Sequence, residues 1–145
     1  VGYRGKYEWV GKPAARLDDL LNLAPARLTS LLLVFAAVPI LKHDSRGAGR
    51  TNVVQHGLVV AWRDAGQCDS PNAGWPMATM AGVLGVRLDK RGQYSLNGPK
   101  NGGNGKPPNH MDIRMGHTVV QLAGVLGFLL AMALCPFFHH NQESN

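Results

Sequence analysis

Polar residues crowd the edge of an apolar run in ARLDDLLNLAPARLT, residues 15–29. Asp18, Asp19 and Asn22 fall on one side of a helical pattern whose other face carries Leu17, Leu20, Leu21 and Ala24. Arg27 follows Pro25 and lies in the first turn of the next predicted helix, where the backbone's partial positive charge disfavours a cation. The nearest anions in sequence are Asp18 and Asp19, so an ion pair with one of them is expected. Two uses of such a pair stay open. It orients two helices at an interface, or it sets up a pocket for a charged substrate, because ionisable groups beside lipid are rarely idle.

A second polar cluster is CDSPNAGWP, residues 68–76, where two prolines and a glycine force an irregular backbone. Ser70 can cap the helix that follows, and Asn72 offers both a donor and an acceptor; an Asx-type turn explains the same residues without a ligand. A third, RLDKRGQYSLNG at 87–98, reads as a charged turn with one tyrosine. Other chemistries find little support. The histidines form no HxxxH pair, and the adjacent His139 and His140 read as a solvated tail. No G-x-S-x-G elbow is present. Gly105-Lys106 invites a phosphate-loop reading, but Lys100 and Pro107 stand where that loop requires Gly and Ser or Thr.

These clusters must be positioned by apolar elements. The helix from Ala14 stops at Pro25, whose missing N–H suits the first turn of a new helix. The block LTSLLLVFAAVPIL, residues 28–41, is uncharged but reaches only about 21 Å, short of a roughly 30 Å hydrocarbon core. Residues 42–57 form a polar connection, and 77–88 predict a short apolar helix. In it Ala78 and Gly82, and Ala81 and Gly85, are small residues four apart that permit close helix packing. Residues 97–109, NGPKNGGNGKPPN, predict a linker without a core. From Thr118 to Phe138 no charge occurs, which predicts a membrane helix with Ala123, Gly127 and Ala131 as a small-residue ridge.

The 145 residues suit one domain, 1–145, with a net charge of +6 and a pI near 9.8. The basic residues are scattered singly, with no aromatic-interleaved stripe, so nucleic acid is not expected as a partner. Basic residues flanking membrane segments account for the charge more simply. Ten of the fifteen lie at 42–114, a bias that puts this stretch in the cytoplasm and the acidic tail outside. Cys68 and Cys135 lack metal or CxxC spacing and read as free thiols. The expected class is all-α: a helical, multi-pass integral membrane protein with irregular polar loops.

Several stretches together resemble the CbiB/CobD family, the adenosylcobinamide-phosphate synthases of cobalamin biosynthesis. They are GKPAARLDDLLNLAPARLT at 11–29, AWRDA at 61–65, SPNAGWP at 70–76 and MAGVLGVRL at 80–88, with the Tyr94 turn and MDIRMG following in the family's order. The resemblance spans nearly the whole chain and matches the carboxyl-terminal half of a family member; the chain starts at Val1 and reads as partial, with an amino-terminal half as the missing partner. It implies a polytopic enzyme that joins adenosylcobyric acid to aminopropanol or its phosphate through an amide bond, with ATP and Mg²⁺. The corrinoid, the amino alcohol and the lipid bilayer are then the expected partners. Amide formation needs cations near phosphate and carboxylate oxygens, and carboxylates for the ammonium or metal. The resemblance therefore implies Asp18, Asp19 and Arg27 as catalytic groups, and Arg16, Asn22, Arg63, Ser70 and Asn72 as substrate-binding groups. No set of protein ligands for a resident metal is assigned. Four positions depart from the family pattern: Cys68 near a usual His, Met77 at a usual Glu, and Asp89 and Lys90 in place of two glycines. The competing expectation is a non-catalytic membrane remnant or interaction subunit.

Overall fold

The computed structural model describes residues 8–43 and 53–140. The opening residues 1–7, most of the polar connection expected at 42–57, and the tail beyond His140 lie outside the described residues, as do the side chains of His139 and His140. The described residues form five α-helices, α1 (Glu8–Leu21), α2 (Leu23–His43), α3 (Val53–Asp64), α4 (Gly74–Leu84) and α5 (His110–His140). Between α4 and α5 lies an antiparallel hairpin, β1 (Leu88–Lys90) and β2 (Tyr94–Leu96), so the class is mostly helical rather than all-α.

The boundary between α1 and α2 is slight. Asn22 N–H still donates to Asp18 O at 3.0 Å, and Ala26 N–H to Asn22 O at 3.1 Å. Pro25, which has no N–H, cannot continue the ladder, the Asp19 carbonyl accepts from Asn72 instead, and the interruption appears at Asn22. Arg27 is therefore not at a free helix start, and the repulsion from a helix dipole expected at that position largely lapses.

With 21 residues, α2 reaches about 31 Å, a bilayer's hydrocarbon thickness, where the block 28–41 alone fell short. Its buried Ser30 donates to Ala26 O at 3.0 Å, so its hydroxyl is satisfied within the helix. The 31-residue α5 begins well before Thr118, at a reciprocal cap. Asn109 Oδ1 accepts from the N–H groups of Met111 and Asp112, and Asp112 Oδ2 accepts from Asn109 N–H. Two stretches are long and apolar enough to cross a membrane by length and composition, Gly11–Leu41, which runs from α1 through α2, and His110–Cys135 in α5.

The core joins α2, α4 and α5 through Val34, Ala37, Val83, Val119 and Ala123. On α5 the small-residue ridge meets α2 at Gly127, where a Cβ would lie 3.3 Å from Leu32 Cδ1; Ala131 stays exposed. The small residues of α4 let α3 approach closely. A Cβ on Gly82 would come within 2.8 Å of Gly57 Cα, and His56 Nδ1 lies 2.7 Å from Gly82 O. The apolar helix predicted over 77–88 ends earlier, because Gly85 takes the left-handed conformation at φ 63° and Val86 N–H closes back on Ala81 O.

Residues 97–109 are not a solvated linker throughout. Asn97 is fully buried, and Lys106 pairs with Val86 as a parallel bridge. Gly103 and Gly105 run against the backbone of Asn97 and Val86, where a Cβ would come within 2.4 and 2.7 Å. The glycines that suggested flexibility serve close backbone approach instead.

Candidate functional site

Asn72 ties the loop before α4 to the junction of α1 and α2. It is 7% exposed, and each end of its amide has one partner type. Its Oδ1 accepts from Arg27 Nη1 at 2.8 Å, and its Nδ2 donates to the Asp19 backbone carbonyl at 2.7 Å. The amide orientation is set by these partners, a pure donor on one side and a pure acceptor on the other. Arg27 Nη1 also donates to Leu23 O at 3.0 Å, and the guanidinium carbon sits 4.7 Å from the Trp75 ring centroid. Trp75 in turn meets the exposed Trp62 edge-on, at 6.0 Å between centroids and 80° between planes. Such a cation–π contact contributes about 0.5–2 kcal/mol depending on desolvation.

Among the described residues, Arg27 forms no ion pair with Asp18 or Asp19, contrary to the pairing expected from their nearness in sequence. The near-continuous helix carries the two carboxylates on from α1, while Asn72 reaches Arg27 from 45 residues away. Asp18 accepts from Asn22 Nδ2 at 3.0 Å on the exposed side, and Asp19 is half-buried. Arg16 is exposed. Ser70 Oγ accepts from the N–H groups of Asn72 and Ala73 at 3.3 and 3.4 Å. It therefore shapes the turn that presents Asn72, and the cap position before α4 is held by Ala73, which has no polar side chain to cap with.

Arg63 belongs to a second assembly. Its Nε and Nη2 each lie 2.8 Å from the fully buried Asp64 carboxylate, which also accepts Asn97 N–H at 2.6 Å. Asn97 sits at φ 55° and donates Nδ2 to Ala81 O and Val86 O. The hydrogen bond to Asp64 holds the guanidinium's pKa above its ordinary value, against a smaller desolvation effect. Arg63 thus spends its fork on a structural partner, though it neighbours Trp62.

Trp62, Trp75, Asp64 and Asn97 are the residues that sequence reasoning missed. All four lay within quoted stretches, but a tryptophan beside an apolar run reads as core and an asparagine in a glycine-rich stretch reads as loop. Cys68 beside the loop has a thiol pKa raised by burial and by Asp69, with Lys90 acting in the opposite direction.

Chemically, the first assembly offers one half-buried cation whose neighbours are neutral. Nη1 is occupied, and among the described residues Nη2 and Nε donate to nothing, leaving an edge that can take an anion in a bidentate fork. Among the described residues no three His, Cys, Asp or Glu side chains gather as a metal site. Asp18 and Asp19 alone would suit Mg²⁺ only if phosphate oxygens and water completed the shell, which is this ion's usual preference.

A family model described as CobD/Cbib protein matches residues 1–123. The chain is 42% identical over 137 residues to the cobalamin biosynthesis protein CobD of Dehalococcoides mccartyi, covering 94% of this chain and 40% of that protein. It is 46% identical over 95 residues to the protein of the same name in Klebsiella pneumoniae, covering 65% of this chain and 27% of the relative. With the probable cobalamin biosynthesis protein CobD of Methanocaldococcus jannaschii it shares 39% identity over 101 residues, 69% of this chain and 30% of the relative. It spans two fifths or less of the length of these curated relatives. No solved structure matches.

Proposed function

Because this chain belongs to the CobD/CbiB family, we propose that it acts in cobalamin biosynthesis as part of an adenosylcobinamide-phosphate synthase. The reaction is ATP-dependent amide ligation of adenosylcobyric acid with aminopropanol or its phosphate. The observation that carries this reading is Arg27, half-buried, fixed by Asn72 and Trp75, and keeping a free donor edge. That edge binds the reacting carboxylate or a phosphate oxygen. Asp18 and Asp19, more than two turns before it, hold the amine's ammonium or share Mg²⁺ with a nucleotide's phosphates. Asn72 and Ser70 keep Arg27 in place, and Arg63 acts through Asp64 as a positioning residue.

The same reading makes the protein an integral, multi-pass membrane protein. It is supported by α2 and α5, whose apolar side chains, Phe35, Phe128, Leu129 and Met132 among them, stand exposed. These faces also favour a second reading, an interaction subunit that packs against other membrane helices without ligating anything itself. The discriminating experiment supplies cobyric acid, aminopropanol phosphate and ATP. It uses the chain alone and the chain co-expressed with the amino-terminal portion of the Dehalococcoides mccartyi relative. ATP-dependent amide product in either case, lost in Arg27→Ala, supports the ligase; no product in both leaves only the subunit.

A further inference from the structure

The β-hairpin carries a charged concavity that lies outside the Arg27 assembly. Lys90 pairs with Tyr94 at the end of the ladder, and Gly92, at φ 73°, turns the chain so that Gln93 N–H returns to Lys90 O at 3.0 Å. After β2 the chain folds back through a short 3₁₀ turn, Pro99–Asn101, and Asn101 Nδ2 donates to Ser95 O at 2.7 Å. That bond fixes the turn carrying Lys100 against the strand.

A hollow of about 370 Å³ results, lined by Arg87, Lys90, Arg91, Tyr94 and Lys100 along with Asp89. A second, of about 270 Å³, shares Lys90, Tyr94 and Lys100 with it and adds Gln67 and Asn101. The acid at the rim is already engaged. Asp89 Oδ2 lies 2.6 Å from Arg87 Nε, and Asp89 Oδ1 accepts from Ser95 Oγ at 2.6 Å. Among the described residues no carboxylate lies within ion-pair distance of Lys90, Arg91 or Lys100. Three cations facing one hollow repel one another, and a multiply charged anion is what would reverse the sign of that interaction.

We infer that this hairpin hollow binds an oligophosphate or phosphomonoester group. One carboxylate would leave most of the positive charge unmatched, whereas a phosphate dianion or polyphosphate chain matches it. Ammonium groups meet its oxygens as point charges, and Arg91 can meet two of them at once. The phosphate belongs either to a soluble molecule, such as a nucleoside triphosphate, or to the headgroup of an anionic lipid. The inference stands independently of the ligase reading, because it concerns binding alone and none of the residues assigned to ligation.

The test uses the full chain in phosphatidylcholine nanodiscs, titrated calorimetrically with tripolyphosphate at low and high salt. Wild type binds, and binding weakens with salt. Lys90→Gln/Lys100→Gln weakens it at least tenfold, while Arg114→Ala, on α5, changes it less than twofold. If the double variant loses its helical circular dichroism, Arg91→Ala on the exposed turn replaces it, with a several-fold loss expected. Discs containing about one-fifth phosphatidic acid, or phosphatidylglycerol at equal charge, separate the two sources. Loss of tripolyphosphate affinity with phosphatidic acid only identifies a lipid phosphomonoester; equal affinity in both identifies the soluble phosphate. Absence of binding in every disc, or equal binding by wild type and the lysine variants, overturns the inference.

Discussion

Removing the Asp64 carboxylate tests whether the Arg63–Asp64–Asn97 assembly holds α3 to the hairpin. The side chain is fully buried and accepts three hydrogen bonds, two from Arg63 at 2.8 Å and one from Asn97 N–H at 2.6 Å. In Asp64→Ala the Asn97 N–H is left without an acceptor, which costs about 1–3 kcal/mol for a buried donor. The Arg63 side chain is 30% exposed and can turn towards water, so its loss is discounted to the roughly 1 kcal/mol of a surface pair. The sum is a destabilisation of about 3 kcal/mol.

The reverse variant, Arg63→Ala, leaves a carboxylate at 0% exposure with one N–H for a partner, and stranding a buried charge costs about 3–5 kcal/mol. Arg63→Ala is therefore at least as damaging as Asp64→Ala, and the double variant falls short of their sum by about 1–3 kcal/mol. Unfolding in mixed micelles, followed by tryptophan fluorescence and circular dichroism, gives all three values. Strict additivity, or losses below about 0.5 kcal/mol in both single variants, would refute the argument that this assembly is coupled.

Further outcomes follow from the geometry. Arg27→Lys keeps the charge but loses the fork, so ligation should fall at least about tenfold while helicity stays unchanged; equal activity would remove the bidentate role. Gly74→Ala places a Cβ 1.9 Å from the Ala65 carbonyl oxygen, and the backbone shift this forces should cost about 3 kcal/mol or more by the unfolding assay above. Cys68, its thiol pKa raised by burial first and Asp69 second, should react slowly with iodoacetamide at neutral pH in Cys135→Ser. Its rate should climb only above the ordinary thiol range, because the reactive form is the thiolate; brisk labelling at pH 7 would contradict this. Carbonate extraction should leave the chain in the membrane pellet, and release to the supernatant would contradict the spanning role of α2 and α5.

Unbroken apolar runs made α2, α4 and α5 legible in the sequence, because a helix apolar on most of its sides carries no charge over much of its length. Their ends were less so. Pro25 looked like the break, yet helical bonds persist at Asn22 and Ala26 on either side of it and the interruption falls at Asn22. Partners distant in sequence leave no local pattern at all. Nearness pointed Arg27 at Asp18 or Asp19, while its bond is to Asn72, whose other amide end takes the Asp19 carbonyl. The hairpin and Asn97 were hidden for a related reason. Glycine that allows close packing and glycine that allows flexibility have the same composition, and only the backbone at Gly103 and Gly105 tells them apart.

The two arginines near the tryptophans argue for different uses of the same side chain. Arg63 meets a buried carboxylate with two parallel bonds and its charge is matched in place. Arg27 is bound by a neutral amide, a carbonyl and an aromatic face, so it is held as firmly in orientation but is left with its charge. An aspartate at position 72 would hold the guanidinium itself more strongly, since charged pairs bond more strongly than neutral ones, but would lose the donor that meets the Asp19 carbonyl. Asparagine gives up that strength and keeps the cation available to an incoming anion. Asn72→Asp separates the two uses: it strengthens the bond to Arg27 but loses the Nδ2 donor to the Asp19 carbonyl, so stability should change little or fall while ligation drops, because the new carboxylate occupies the charge that substrate must find. A variant that stayed folded and kept full activity would reduce Arg27 to a fastening.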